Sequence, residues 1–217
     1  MKYSSHRTRK LILASSSPQR SEILTRLGVP FTVVKPEVDE TVPDRLSPEK
    51  TAGYLARKKA VTVAAKMPGA LILGVDTVVI LGRRVYGKPE DADTARTFLR
   101  ALSGRSHKVV TALTLCDDAA KTLYEAAATT KVLFACLSDE VIDWYVRTGE
   151  WRGAAGGYRV QGQASRFIRS MTGLESTVIG LPVYPLIGLL AQAKIHHGGP
   201  QIAPLRYRST RWRNEFS

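Results

Sequence analysis

Asp76 stands between two apolar runs, Gly74-Val75 and Thr77-Val78-Val79-Ile80. A carboxylate in such a setting must be solvated, paired with a cation or bound to a metal ion. Upstream, Pro36-Glu37-Val38-Asp39-Glu40 offers further oxygens. Glu37, Asp39 and Glu40 could join Asp76 around a hard divalent cation, although the segment alone also reads as a solvated acidic loop. In Ser17-Pro18-Gln19-Arg20 a helix begins directly after an apolar run, so its first amides are unpaired and its dipole is positive there. A phosphate suits that position, and the planar fork of Arg20 suits phosphate oxygens; an ordinary capped helix with a surface arginine is the competing reading.

Lysines form a third group. Lys58 and Lys59 fall within a helical stretch, and Lys88 lies in Gly87-Lys88-Pro89, a constrained loop able to project an ammonium toward a cleft. Each could clamp a phosphate or simply face solvent. The loop Ala155-Gly156-Gly157-Tyr158-Arg159-Val160-Gln161-Gly162 permits close backbone approach, and Gln161 could read a base edge with its paired donor and acceptor. His107 reads as a structural hydrogen-bonder, and no metal is assigned to His196-His197.

The elements that must position these groups alternate between strand and helix. Leu11–Ala14 reads as a buried strand, Pro18 to about Leu27 as a helix stopped by Gly28, and Phe31–Val34 as a second strand. Ser47-Pro48 opens a long helix that Pro68-Gly69 ends. Two strands are predicted at Ala70–Gly74 and Thr77–Leu81, flanking Asp76. Asp91 caps a helix whose apolar stripe is Ala92, Ala95, Leu99 and Leu102, and long strands follow at His107–Leu115 and Lys121–Leu137. Ser138-Asp139-Glu140 starts another helix, Arg166–Arg169 reads as a strand, and Leu181–Lys194 as a closing apolar helix. Hairpin-like strand pairs among the alternating elements predict an α/β fold with a mixed sheet and helices on both faces.

At 217 residues and 44% apolar content the chain can bury a substantial core. Cys116 and Cys136 are too few for a disulfide framework, and both sit in apolar runs that predict buried thiols. No apolar run approaches the length of a bilayer span, which predicts a cytoplasmic protein. The net charge of +13 concentrates partly in the ends, with Lys2, Arg7, Arg9 and Lys10 in one and Arg206, Arg208, Arg211 and Arg213 in the other. The expected organisation is a basic tail over 1–10, one catalytic domain over 11–195 and a loosely held basic tail over 196–217. The basic body suits an anionic substrate. The tails lack a recognisable nucleic-acid module and read as solubilising segments.

Taken together, Leu13-Ala14-Ser15-Ser16-Ser17-Pro18-Gln19-Arg20, Gly74-Val75-Asp76-Thr77-Val78-Val79, Gly87-Lys88-Pro89, Leu102-Ser103-Gly104-Arg105-Ser106-His107, Gly156-Gly157-Tyr158-Arg159-Val160-Gln161-Gly162 and Gly180-Leu181-Pro182 closely resemble the Maf family, in family order. The resemblance implies a two-lobed fold around a central cleft, frequent homodimers and a house-cleaning pyrophosphatase that splits a nucleoside triphosphate into monophosphate and pyrophosphate. It implies that Asp76 activates the attacking water, that Ser17, Arg20, Lys59 and Lys88 handle phosphate, and that Glu37 with Asp76 lies near Mg²⁺ or Mn²⁺. Its dTTP- and UTP-preferring branch carries arginine, threonine and glutamine where this chain has Gln19, Thr77 and Gln161, so Gln19 departs. The branch reading 7-methyl-GTP fits less well, since it has glutamine at the Thr77 position and glutamate at the Gln161 position. The run Leu174-Glu175-Ser176-Thr177 also departs from the Ser-aromatic-Ser-Asn of many relatives. Alternatives are a purine-selective pyrophosphatase and a binding protein that regulates septum formation.

Overall fold

In the computed structural model, residues 11–119, 121–195 and 208–211 are described. The first half is built from β1 (Leu11–Ala14), α1 (Pro18–Arg26), β2 (Phe31–Val34), α2 (Pro48–Lys66), β3 (Leu71–Leu81), β4 (Arg84–Tyr86) and α3 (Ala92–Leu102). The second half contains β5 (Ser106–Asp117), β6 (Thr122–Phe134), α4 (Asp139–Thr148), β7 (Ile168–Thr172), α5 (Glu175–Ile179), α6 (Val183–Gln192) and β8 (Arg208–Arg211). One eight-stranded sheet runs β2-β1-β3-β5-β6-β7, with β4 on β3 and β8 on β6. β1 is parallel to β2 and β3, and the remaining pairings are antiparallel, so the sheet is mixed as expected.

Side-chain alternation along the strands divides the core by face. In β1, Leu11 and Leu13 join Ile23 and Leu24 of α1 and Leu186, Leu189 and Leu190 of α6. Ile12 and Ala14 point the other way, onto Ala60, Val61 and Ala64 of α2. Beyond β1, Val78 and Ile80 continue the α2 side against Ala52 and Ala56, while Val79 joins the cluster of Ala95, Leu99, Phe134, Ile142 and Tyr145 beneath α3 and α4. Thus α2 covers one face, and α1 with α6 and α3 with α4 form two packed groups on the other.

Asp76 does not separate two strands. β3 is one 11-residue strand whose ladder with β5 runs unbroken from Leu71–Asp117 to Ile80–Lys108. The carboxylate stays inside the strand because α2 supplies it with a buried cation. That helix comes unusually close at Gly74, where an added Cβ would strike the carbonyl of Ala56 and lie 2.7 Å from the amide nitrogen of Ala60.

Other expectations are corrected at element ends. The closing helix is Val183–Gln192, preceded by the short α5 and by Gly180 at φ +114°, which separates them. Pro185 fits in the first turn of α6, where its missing N–H has no intrahelical partner to lose. Cys116 is buried, and desolvation pushes its thiol up to about 12, but Cys136 is exposed just beyond the end of β6. The loosely held C-terminal tail is corrected at Arg208–Arg211, which pairs as β8 with Thr122–Glu125; the basic 1–10 segment, residues 196–207, with the histidine pair at 196 and 197, and 212–217 lie outside the described residues. Among the described residues no helix is long and apolar enough to cross a membrane.

Candidate active site

β1 accompanies β3 only as far as Ala14 opposite Gly74, and β4 takes up the same edge only at Val79 opposite Tyr86. Between them the edge of β3 is open over 75–78. A cleft of about 560 Å³ straddles this gap, walled by the loops at the carboxyl ends of the parallel strands β1 and β2. Crevices of this kind are where open α/β sheets bind ligands. The cleft is lined by Ser17, Gln19, Arg20, Lys59, Asp76, Thr77, Lys88 and Gln161, so eight of the nine residues to which the resemblance assigns a role or a specificity position converge there, with Glu40 beside them.

Lys59 extends from α2 with its side chain 5% exposed, and its Nζ lies 2.5 Å from Asp76 Oδ1 and 2.8 Å from Glu40 Oε1. Burial pushes Asp76 above the ordinary aspartate range, against the opposing pull of Lys59 and Arg20. Glu40 is partly desolvated, but the hydrogen bond and charge of Lys59, together with the charges of Lys88 and Arg20, outweigh this and hold it below the ordinary glutamate range. Two carboxylates of opposite tendency therefore share one ammonium.

Glu37 is not the second carboxylate of this group. Its side chain is 76% exposed and pairs with Lys66 at 3.2 Å, outside the cleft lining. The sequence offers three acids within four residues, and the direction of the extended loop decides which one turns inward. Asp39 is held by Thr41, at 2.9 Å from its amide and 2.6 Å from its hydroxyl, and Lys58 faces Asp39 at 3.8 Å. Neither lines the cleft.

Arg20 is buried, and desolvation lowers its pKa against the raising influence of Asp76 and Glu40. Four of its contacts are to protein acceptors: Nε to Gly180 O at 2.9 Å, Nη1 to Ser15 Oγ and Val75 O at 2.9 Å each, and Nη2 to Thr77 Oγ1 at 3.1 Å. A guanidinium has five N–H groups, so its fork is largely committed to bracing the open edge of β3. The remaining donor and the positive charge are what it can give a ligand. At the start of α1, Ser17 makes no cap bond and its hydroxyl donates instead to Gln19 Oε1 at 3.1 Å. The early helical amides of Gln19 and Arg20 are thereby left without a side-chain cap.

Lys88 is exposed and lines the cleft. Partial desolvation lowers its pKa, with Lys59 and Arg20 adding to the effect and Glu40 and Asp76 opposing it. Lys35, Arg152 and Arg159 also line the cleft, giving six cationic side chains against two carboxylates. Sequence reasoning missed these three; the place of Lys35 just after a strand parallel to β1 was the available signal. Arg159 is fixed by Glu150 O at 2.9 Å and Arg152 O at 2.6 Å, and Arg152 lies over Trp151 at 4.7 Å. His107 has the structural role expected of it: Nε2 meets Tyr158 Oη at 2.8 Å, and burial lowers its pKa to about 4.

The donor set fits a hard divalent cation. Among the described residues no three His, Cys, Asp or Glu side chains cluster, but Mg²⁺ needs only one or two carboxylates beside substrate phosphate and water. Asp76 and Glu40 are the two carboxylates that line the cleft.

Comparison with known proteins places this geometry in context. The sequence profile of the family described as Maf-like protein matches residues 10–193. A dTTP/UTP pyrophosphatase of Pelotomaculum thermopropionicum is 42% identical over 182 residues, covering 84% of this chain and 95% of that protein. Proteins of the same name from Symbiobacterium thermophilum and Gluconobacter oxydans are 44% and 46% identical, covering 84% and 83% of this chain and 93% and 85% of theirs. Among solved structures, the Staphylococcus aureus Ham1 protein aligns with a TM-score of 0.43 at 12% identity, over 58% of this chain and 72% of that one, a likeness too partial to carry an argument.

Proposed function

The chain belongs to the Maf-like protein family, and from that premise we propose that it hydrolyses dTTP and UTP to the nucleoside monophosphate and pyrophosphate. The single observation that carries the chemistry is the buried Asp76–Lys59–Glu40 group at the open edge of β3, facing a cleft rich in cations. Pyrimidine preference rests on the names of the relatives, with Thr77 and Gln161 in the lining and Gln19 as the departure.

Water attacks the α-phosphorus, its oxygen forms the new P–O bond, and the bond to the bridging oxygen breaks as pyrophosphate leaves. Asp76 Oδ1 is engaged by Lys59, which leaves Oδ2 to receive the proton from that water. Burial raises the basicity of this carboxylate, bringing it closer to what a base working near neutrality requires. With Oδ2 of Asp76 serving the water, Glu40 is the cleft carboxylate that would hold Mg²⁺ or Mn²⁺ beside substrate phosphate, and the ion when bound supplies Lewis-acid neutralisation of phosphate charge. Lys88 and the amides at the start of α1 face the anionic chain, where charge develops on the departing oxygen. Lys59 keeps the two carboxylates together, and Arg20 fixes the strand edge that carries Asp76.

Pyrophosphate release from a panel of dTTP, UTP, CTP, GTP and ATP, with Mg²⁺ or Mn²⁺ and with EDTA controls, tests the proposal. Metal-dependent turnover led by dTTP and UTP is expected. Folded, metal-loaded protein that turns over none of them would overturn it, and a leading purine would assign a different substrate.

A further inference from the structure

Thr77 forms part of a chain of contacts running into the core. Arg20 Nη2 donates to Thr77 Oγ1 at 3.1 Å, Thr77 Oγ1 lies 2.9 Å from Thr111 Oγ1, and Thr111 Oγ1 donates to the carbonyl of Thr177 at 2.7 Å. Thr111 is completely buried on β5, directly opposite Thr77 in the ladder. Thr177 lies in α5, beside Val178, Ile179 and Gly180 of the cleft wall.

The carbonyl at the end of this chain can only accept, so it takes the one hydroxyl proton of Thr111. Thr111 must then accept from Thr77, which commits the proton of Thr77 as well. At the other end Arg20 has only protons to give and occupies one lone pair of Thr77. Every proton in the series therefore has one direction, and Thr77 retains one lone pair and no donor. We infer that Thr111 is a positioning residue for base selection: it holds Thr77 as an obligate acceptor for the N3–H of uracil or thymine, against cytosine, whose N3 bears no proton.

This inference rests on the pyrimidine reading. With uracil or thymine, the imide N–H donates into the free lone pair. With cytosine in the same pose, two acceptors meet, and relief requires turning the hydroxyl of Thr77 away from Thr111. That rotation leaves the buried oxygen of Thr111 without its donor, which is the penalty that makes hydrogen-bonding sites selective. Thr111 exerts this effect without touching substrate.

The test compares UMP, CMP and N3-methyl-UMP binding by calorimetry, alongside kcat/KM for UTP and CTP, in the parent protein, Thr111→Val and Thr111→Ser. Expected are weaker binding of CMP and N3-methyl-UMP than of UMP by about tenfold, a UMP/CMP ratio that collapses toward unity in Thr111→Val, and its recovery in Thr111→Ser. A merely structural role would lower both nucleotides together and leave their ratio unchanged; that result, or a parent protein indifferent to N3 methylation, overturns the inference. The methylated nucleotide uses the parent alone, so indifference to it still overturns the inference if Thr111→Val fails to fold. Binding that discriminates as expected in a protein without turnover would sink the pyrophosphatase reading and preserve this one.

Discussion

Asp76 and Thr77 are consecutive in β3, yet pleating sends their side chains to opposite faces of the sheet, and the two sides are built on different principles. On the α2 side, Asp76 is surrounded by full charges: Lys59, Glu40 and the nearby Arg20. On the other, Thr77 takes one hydrogen bond from the same Arg20 and heads a hydroxyl series ending at a backbone carbonyl. In the proposed reaction, the α2 side would carry chemistry on a phosphate chain common to all nucleotides. As inferred, the Thr77 side would distinguish bases by where protons sit, with hydroxyls that add no charge of their own. The open edge of β3 lets one cleft reach both sides.

The largest effect on this division is expected from Asp76→Asn. It removes the proposed base, and kcat should fall about 10²- to 10⁴-fold or more for UTP and CTP alike, leaving their ratio unchanged. A changed ratio would break the separation between the two sides. In the parent, because burial raises the pKa of Asp76, the acid limb of the kcat/KM profile should lie above the range of an ordinary aspartate, with activity lost as pH falls through it. The sign for stability is opposite: a raised folded-state pKa means the fold favours the protonated form, and this advantage is lost as pH rises through it. Asp76→Asn should therefore melt no lower than the parent near neutral pH, as read by a thermal scan.

Next in size is Gly74→Ala. Its Cβ would meet the backbone of α2 at Ala56 and Ala60, an overpacking cost of about 1–3 kcal/mol. A lower Tm should accompany reduced turnover on every nucleotide, since displacement of α2 draws Lys59 away from Asp76. Glu40→Gln should then raise the Mg²⁺ concentration needed for half-maximal rate by about tenfold, seen in a metal titration. The smallest effect belongs to Glu37→Gln: an exposed pair with Lys66 contributes about 0–1 kcal/mol, and rate, metal requirement and Tm should match the parent. A strong metal phenotype at Glu37 would reverse the assignment of the two glutamates.

Residue type and local pattern carried much of the site into view. Ser17-Pro18 marked the exposed start of α1, and the apolar flanks of Asp76 marked a carboxylate that needed a partner. Local pattern gave no means of choosing between Glu37 and Glu40, because an extended loop lacks the periodicity that tells one side from another. The same limit hid β8, whose four residues form a strand only through the partner offered by β6. Cys136 looked buried because its neighbours are apolar, although β6 ends before it.

What the sequence determined by itself was the alternation of most of its strands and helices, the mixed character of the sheet and the kinds of group available for phosphate chemistry, since these follow from periodicity, capping residues and side-chain chemistry over short stretches. Tertiary structure alone decided that β3 runs unbroken through Asp76, that Lys59 rather than solvent meets the buried carboxylate, that Arg20 spends its donors bracing a strand edge, and that Thr77 has no proton to offer. Each of these depends on a partner 17 or more residues away in the chain. The energy of a buried charge or hydroxyl is set by the group it meets, and only the folded chain brings that group into contact.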